Sequence, residues 1–547
     1  MEKKTTIAER YFEKPSWLKT FSGIPVKEVY TPEDIKDIDY HRDMGNTGEF
    51  PYTRGIFPDM YRGRLWSMRE LCGYGSPRAT NERLHFLIDE GESALNFIGD
   101  LPTQYGIDSD HPFAEGEVGV EGVPLCSLQD MEEATEGIPL DQASFNISNY
   151  LCPTLAMYIA AAEKRGFDLT KLRGTHLNDT LSQILVRYVP VPLDLGIRMT
   201  VDSIIHCLDK VPRYYTLSTG PEGLRESGAT AAQEIGLDFC IARFWIQKVL
   251  ERGKGKINID DFAGKVTFTH RVGIDIFEEA CKFRAARRVW ARILRDEFGA
   301  QSSRSLTYRV HTPTMGTSLV RPQTVNNIIR VAYQTLAAVL GGVQSIHTMG
   351  FDEPQGLPTE ESHRIALRTQ QILCYETGVV NVADPLGGSY YVEWLTNELE
   401  KEILKVMEEW KEDIAGRAER GEVIDCLFRE AYKYQQEVER GERIIVGLNK
   451  FTIEEKPGEI RLHVLPEDEV ERHLENLKEL RKSRDNTKVA QALDNLRRVT
   501  ENTEENIFPA ILEAVKAYAT LGEIMGVMRM GYGHDYDPFG TLKYPFS

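Results

Sequence analysis

Arg54, Arg62, Arg64 and Arg69 crowd the segment Tyr52–Gly75, YTRGIFPDMYRGRLWSMRELCGYG, among aromatic side chains. Guanidinium groups make paired hydrogen bonds to phosphate and stack on planar rings. The chemistry such a segment offers is recognition of an anionic ligand, a nucleotide for example; a basic surface patch is the alternative. A second stretch, Arg213–Thr230 (RYYTLSTGPEGLRESGAT), has extended-favouring residues at Tyr214–Leu217, a turn at Ser218–Gly223 built on glycine and proline, and a long amphipathic helix after Glu226 and Ser227. A polar strand end, a glycine-rich turn and a helix form one unit of an α/β fold, in which strand carboxyl ends carry the chemistry.

Eight strand candidates position these segments: 94–101, 143–150, 172–177, 213–219, 265–270, 306–312, 342–348 and 379–384. Amphipathic helices separate them, among them Thr154–Lys164, Ile197–Lys210, Ala229–Arg252, Ile274–Glu297, Pro322–Leu340 and Glu360–Glu376. Eight βα units in this order predict a (β/α)8 TIM barrel, with a doubly wound open sheet as the alternative. The strands are rich in small polar residues (Ser144, Asn146, Ser148, Thr175, Thr216, Ser218, Thr267, Thr269, Thr307, Ser345, Thr348). Barrel interiors are ordinarily filled with Val, Ile and Leu. Hydroxyls facing inward would leave a hydrated channel able to admit a ligand chain; facing the helices, they would only satisfy one another. The expected organisation is an N-terminal arm over 1–45, the barrel over 46–400 and a mostly helical region over 401–547. That last region includes charge-rich helices at 398–420, 434–442 and 467–498, a short strand at 460–465 and an apolar helix pair at 506–530.

The net charge of -19 argues against nucleic-acid binding without forbidding an anionic ligand. No apolar run reaches the roughly 20 residues that span a bilayer, and the first residues lack the apolar core of a secretory signal. The eight cysteines are scattered without a CxxC pair, which speaks against zinc and disulfide frameworks. A cytoplasmic, reduced protein with no bound metal and no membrane contact is expected.

The arginine segment is similar to a stretch reading TRG-x-YP-x-MY-x-x-R-x-W-[ST]-[IM]-R-Q. The likeness continues through DLPTQYGIDSDHP (Asp100–Pro112), GIPLD (Gly137–Asp141), FRAARRVWA (Phe283–Ala291), QSIHT (Gln344–Thr348), LPTEESHRIALRTQ (Leu357–Gln370), DPLGGSYYVE (Asp384–Glu393) and PAILEAVKAYATLGEI (Pro509–Ile524). In these segments the chain resembles the large, substrate-binding subunit of adenosylcobalamin-dependent acyl-CoA mutases, the methylmalonyl-CoA mutase family. The resemblance implies a barrel threaded by the pantetheine arm of coenzyme A. It implies acyl-CoA contacts at Phe57, Met60, Arg64, Ser67, Arg69, Leu71, Thr175, Leu177, Arg187, Ser218, Arg284 and Ala285. It implies cofactor contacts at Tyr61, Glu226 and Gln344, and catalytic positions at Arg187, Gly223 and Glu226. The implied chemistry is a radical exchange of a hydrogen and a migrating thioester carbonyl group, with the cofactor supplying the reactivity. The family's DxHxxG cobalt-ligand motif is missing, since Asp39-Tyr40-His41 lacks the glycine. The expectation is therefore no Rossmann-like cobalamin domain in this chain, a separate small cobalamin-binding subunit, and a dimerised large subunit in a heterotetramer.

Four positions depart from the family pattern. T-I-R-Q-Y becomes Ser67-Met68-Arg69-Glu70-Leu71, so Leu71 stands where the methylmalonyl type has tyrosine. T-x-Q-N-D becomes Thr175-His176-Leu177-Asn178-Asp179, with Leu177 for glutamine. S-x-S-G-Y-H-M-Q-E-A-G keeps Glu226 but places Gly223 at the carbonyl-binding histidine. Arg187 stands at the place of an arginine that pairs with a free carboxylate, where the isobutyryl and hydroxyisobutyryl types have glutamine; a salt bridge on its own helix is the alternative. The first three changes remove polarity. Together they point to a mutase for a bulky dicarboxylic thioester, an alkyl- or arylsuccinyl-CoA interconverting with a substituted malonyl-CoA. A mutase for branched or hydroxylated monocarboxylic acyl-CoA, methylmalonyl-CoA mutase itself, and an inactive acyl-CoA-binding paralogue remain as alternatives.

Overall fold

The strands are short and parallel, and they follow one another around a ring. The computed structural model describes residues 19–186, 190–220, 223–454 and 467–546. Its strands are β1 (Ser67–Arg69), β2 (Leu95–Ile98), β3 (Ser144–Ser148), β4 (Arg173–His176), β5 (Tyr214–Tyr215), β6 (Leu217–Thr219), β7 (Val266–Thr269), β8 (Val310–Pro313) and β9 (Ser345–His347). β5 and β6 are two halves of one stave separated by Thr216, so there are eight staves. Pairing runs β2-β3-β4-β5 on one side and β1-β9-β8-β7-β6 on the other. Two seams join the halves. A parallel bridge Cys72↔Phe97 links the end of β1 to β2, and the Ser218 N–H donates to Leu177 O at 3.0 Å beside β4. A closed ring has no exposed sheet edge.

Two sequence expectations are corrected. The segment 379–384 is a run of turns, with Pro385 and two glycines directly behind it. The missing stave is β1, inside the arginine-rich segment, where Ser-Met-Arg carries no β-branched signature. The strand expected at 460–465 lies outside the described residues.

Helices follow the staves as a βα order requires. Pro77–Asp89 follows β1, Leu128–Ala134 β2, Cys152–Lys164 β3, and Leu193–Lys210 β4. Ala231–Gly253 follows β6, Ile276–Arg292 β7, Asn326–Leu340 β8, and Glu360–Glu376 β9. Local chemistry sets their starts: Thr230 and Gln233 form a capping box at Ala231, and Asp275 caps Ile276 by accepting from Glu278 N. β3 and β4 approach closely at Gly174, at φ +145°, where an added Cβ would lie 1.8 Å from Phe145 O.

The apolar core splits into two flanks outside the ring. One surrounds Trp245, Trp290, Phe239 and Phe268 and takes in Leu395, Leu399 and Ile403 of helix Tyr390–Trp410. The other surrounds Phe97, Phe145 and Tyr158 and takes in Val489, Leu493, Phe508 and Ile511 from the C-terminal helices Asn486–Glu501 and Phe508–Lys516. Helix Tyr390–Trp410 runs unbroken across residue 400. The arm ahead of the barrel lies along the first flank, where Tyr30 packs its ring 4.7 Å from Trp394. No helix among the described residues is long and apolar enough to cross a membrane, and the eight cysteines are free thiols.

Arg198 ties the C-terminal helices to the barrel. Its guanidinium is buried and donates to the carbonyls of Val499, Thr500, Asn502 and Glu505 at 2.6–2.9 Å. Asp202, one turn on, accepts from Ile507 N at 2.9 Å. Arg198→Met is expected to remove these four hydrogen bonds, leaving Glu505 O with Arg252 as donor, and to lower stability by about 3 kcal/mol. Thermal unfolding followed by circular dichroism checks this; an unchanged midpoint would refute the tie.

Candidate functional site

Strand side chains alternate in direction, and register therefore sorts the staves into an inner and an outer set. Thr269 pairs with His311, His311 with Ser345, and Ser345 with Ser67. These residues, with Arg69, Ser144, Asn146, Thr175, Ser218 and Thr267, line a cavity of about 440 Å³ along the barrel axis. The hydroxyl-rich stave residues expected to leave a channel thus do so at Ser144, Asn146, Thr175, Ser218, Thr267, Thr269 and Ser345.

Arg69 crosses the channel wall. Its Nε donates to Ser345 Oγ (2.9 Å), one Nη to Leu95 O (2.9 Å) and the other to Ser144 Oγ (3.1 Å). Burial pulls its pKa down to about 10, against the attraction of Glu92, so it stays cationic at neutral pH. His311 places Nδ1 2.9 Å from Ser345 Oγ. Burial, then the charges of Arg69, His347 and Arg271, hold this imidazole well below its ordinary range, so it is neutral. Asn146 donates to Asn96 Oδ1 at 2.7 Å, and Ser218 and Thr269 hydroxyls lie 3.1 Å apart. The wall is a sleeve of hydrogen-bonding groups suited to a slender polar chain.

At the amino ends of the staves the channel opens between Arg64, Arg173, Arg213, Arg304 and Arg309, beside Phe57 and Met60. The first four are exposed, and Arg309 lies over the Phe57 ring at 5.6 Å. Among the described residues none of the five forms an ion pair. In a chain of charge -19 this is a local well of positive potential, suited to a polyphosphate.

The carboxyl ends of the staves form a different surface. Glu226 ends the short helix Gly223–Glu226, and its carboxylate accepts the N–H groups of Gly316 and Thr317, each at 2.9 Å. The Arg225 guanidinium beside it is buried and donates to Glu279 (2.7 Å) and Ala229 O (2.6 Å). Burial alone would raise the Glu279 carboxyl, but Lys282 and Arg225 outweigh it and hold it below its ordinary range. Leu177 is buried just past β4, and the Leu71 N–H donates to His347 Nδ1 at 3.1 Å. Glu70 holds the same ring nitrogen at 3.0 Å. A larger cavity, about 710 Å³, opens here between Glu226, Gly228, Met315 and Thr317 on the barrel side and Tyr333, Tyr434 and Val446 above.

Phe57, Met60, Tyr61, Arg64, Ser67, Arg69, Thr175, Ser218 and Gln344 thus share the axial cavity, while Glu226 lines the upper one. Tyr61 and Gln344 are corrected as companions of Glu226. They precede β1 and β9, at the opposite end of the barrel, where Tyr61 donates to Val343 O at 2.7 Å. Arg284 and Ala285 are corrected as well. Both are fully buried in helix Ile276–Arg292, outside the ring, and Arg284 is committed to Asp384 and, at 2.6 Å, to Glu393. Gly223 opens the turn that carries Glu226. Arg187 lies outside the described residues. Sequence reasoning missed Arg173, Arg213, Arg304, Arg309 and His311. For Arg173 and Arg213 the signal was an arginine beginning a strand.

A family model described as methylmalonyl-CoA mutase matches residues 19–534. A 2-hydroxyisobutanoyl-CoA mutase large subunit from Aquincola tertiaricarbonis is 37% identical over 526 residues, 95% of this chain and 93% of that one. A methylmalonyl-CoA mutase of Rhizobium meliloti (strain 1021) is 38% identical over 524 residues, 94% of this chain and 72% of that one. The mitochondrial methylmalonyl-CoA mutase of Homo sapiens is 33% identical over 520 residues, 94% and 68% of the two chains.

Removing one rim arginine is expected to cost about 1.5 kcal/mol of a phosphate contact, about tenfold in affinity. Titration calorimetry of Arg173→Ala and Arg213→Ala with a nucleoside diphosphate probe at two ionic strengths checks this. Unchanged affinity and unchanged salt dependence would exclude the rim as the anion site.

Proposed function

Because this chain belongs to the methylmalonyl-CoA mutase family, we propose that it is the large subunit of an adenosylcobalamin-dependent mutase acting on a bulky dicarboxylic acyl-CoA, an alkyl- or arylsuccinyl-CoA interconverting with a substituted malonyl-CoA. The observation that carries the substrate reading is the end of the channel nearest Glu226. Leucines at 71 and 177 and glycine at 223 stand where polar side chains occur in the family pattern, and this loss of polarity favours an acyl group with a hydrocarbon branch.

The residues divide the work along the axis. The rim arginines bind the phosphates of coenzyme A. Arg69, Asn146 and the sleeve of hydroxyls hydrogen-bond the amides of the pantetheine arm, with Arg69 fixed by three donors of its own. The thioester then lies at the level of Leu71 and Leu177. The closed ring and its two apolar flanks keep water from the reacting carbons. At the carboxyl-terminal mouth the residues present fit the cofactor. Glu226 offers a carboxylate, 21% exposed, to sugar hydroxyls at the lip of the 710 Å³ cavity. Adenosylcobalamin, when bound, supplies the homolytic chemistry that starts hydrogen abstraction. The Aquincola tertiaricarbonis relative is named a large subunit, which supports a separate small cobalamin-binding partner here.

The same relative favours a second reading, a branched or hydroxylated monocarboxylic acyl-CoA, which leucine at position 71 also accommodates. Reconstitution of the chain with its cobalamin-binding partner and adenosylcobalamin, assayed with a panel of thioesters, separates the two. Turnover of an alkyl- or arylsuccinyl-CoA at least tenfold faster than of methylmalonyl- or 2-hydroxyisobutyryl-CoA is expected. Turnover of only one of the latter two would overturn the proposal.

A further inference from the structure

We propose that Arg271 is a specificity-determining residue of this channel, a cation that binds the free carboxylate of the acyl group. This deepens the dicarboxylic reading and rests on it.

The placement follows from the strand period. Each stave contributes one further residue, two beyond its channel-lining position, to a top layer: Leu71, Ile98, Ser148, Leu177, Gly220, Arg271, Pro313 and His347. Four of these are apolar, and Gly220 lacks a side chain altogether. It sits at φ +100°, and a Cβ there would lie 2.3 Å from Thr269 O. Within this layer Arg271 is the one permanent cation. Thr269, two residues before it, lines the axial channel, and Gly273, two residues after, lines the upper cavity. Arg271 therefore stands where a threaded acyl group would meet the cofactor side.

Its surroundings agree with an inward side chain. The guanidinium is 9% exposed, and its Nε lies 3.5 Å from Glu226 Oε1. Both His311 and Glu353 sense its charge, from β8 and from the loop after β9. The backbone is pinned independently of the side chain. Arg271 N–H donates to Glu234 at 2.7 Å, and its carbonyl accepts from Lys282 at 2.5 Å. Lys282 in turn is paired with Glu234 and Glu279. Val272 bridges Thr314, which carries the extended backbone past the end of β7. The backbone so held carries a planar guanidinium, whose fork geometry matches a carboxylate. An apolar layer with a single cation suits an acyl group that combines a hydrocarbon branch with one negative charge.

Succinyl-CoA and butyryl-CoA, which differ chiefly in a carboxylate for a methyl group, are the probes. Competition binding to the reconstituted holoenzyme measures both in the wild type, in Arg271→Met and in Arg271→Gln. The glutamine variant keeps a polar, uncharged side chain beside Glu226 and serves if the methionine variant does not fold. The expected result is a wild-type preference for succinyl-CoA and, in the variants, about 100-fold weaker succinyl-CoA binding with butyryl-CoA binding unchanged. A variant that keeps the wild-type preference, or loses both ligands equally, overturns the assignment of Arg271 alone. A wild type without preference overturns the dicarboxylic reading and this assignment together.

Discussion

A barrel that must admit a ligand along its axis cannot be stabilised along its axis. The inner faces of the staves are committed to Ser, Thr, Asn, Arg and His, and those groups stay satisfied only by bonding one another or a guest. Apolar burial, the main stabilising term for a chain of this size, is displaced outward into two separate flanks. Neither flank is complete with the barrel helices alone. Helix Tyr390–Trp410 covers one, and the helices after residue 486 cover the other. The C-terminal third of the chain thus follows from the hollow centre. The buried Arg198 and Asp202 contacts convert that packing into a fixed attachment.

The alternation of strand and helix was legible in the sequence because both periods are local. Seven staves are recognisable from β-branched and hydroxyl residues between turn formers. The eighth was hidden: Ser67-Met68-Arg69 has no strand propensity of its own and becomes a stave because its neighbours β9 and β2 supply hydrogen-bonding partners. Conversely, Val379, Val380 and Val382 read as a strand. In the structure Val379 and Val380 pack against the first flank, in a turn-rich segment that joins neither sheet. Tertiary context overrides propensity in both directions.

The site was legible where it depends on residue type and illegible where it depends on partners. Arginines among aromatics identified Arg64 and Arg69. The family resemblance alone pointed to Arg284, whose charge is consumed by Asp384 and Glu393, about a hundred residues away. Tyr61 and Gln344 line the axial cavity and Glu226 the upper one, a separation that a motif does not reveal because it carries no statement of which end of a stave it precedes. Arg271 lies beyond the strand, which stops at Thr269, and the Val272–Thr314 bridge carries its alternation further.

The arginine rim has a metric consequence. A ligand whose phosphates are held there is anchored at one end, and the staves fix the span from that anchor to the top layer. The barrel is then a ruler with its zero at the rim. Under the proposed function, homologous acyl groups of increasing size would share every contact up to Arg69 and differ only beyond Leu71 and Leu177. Selection among them is a matter of what the far end of the ruler leaves room for, and remodelling a handful of top-layer side chains can change the substrate without disturbing the hold on its handle.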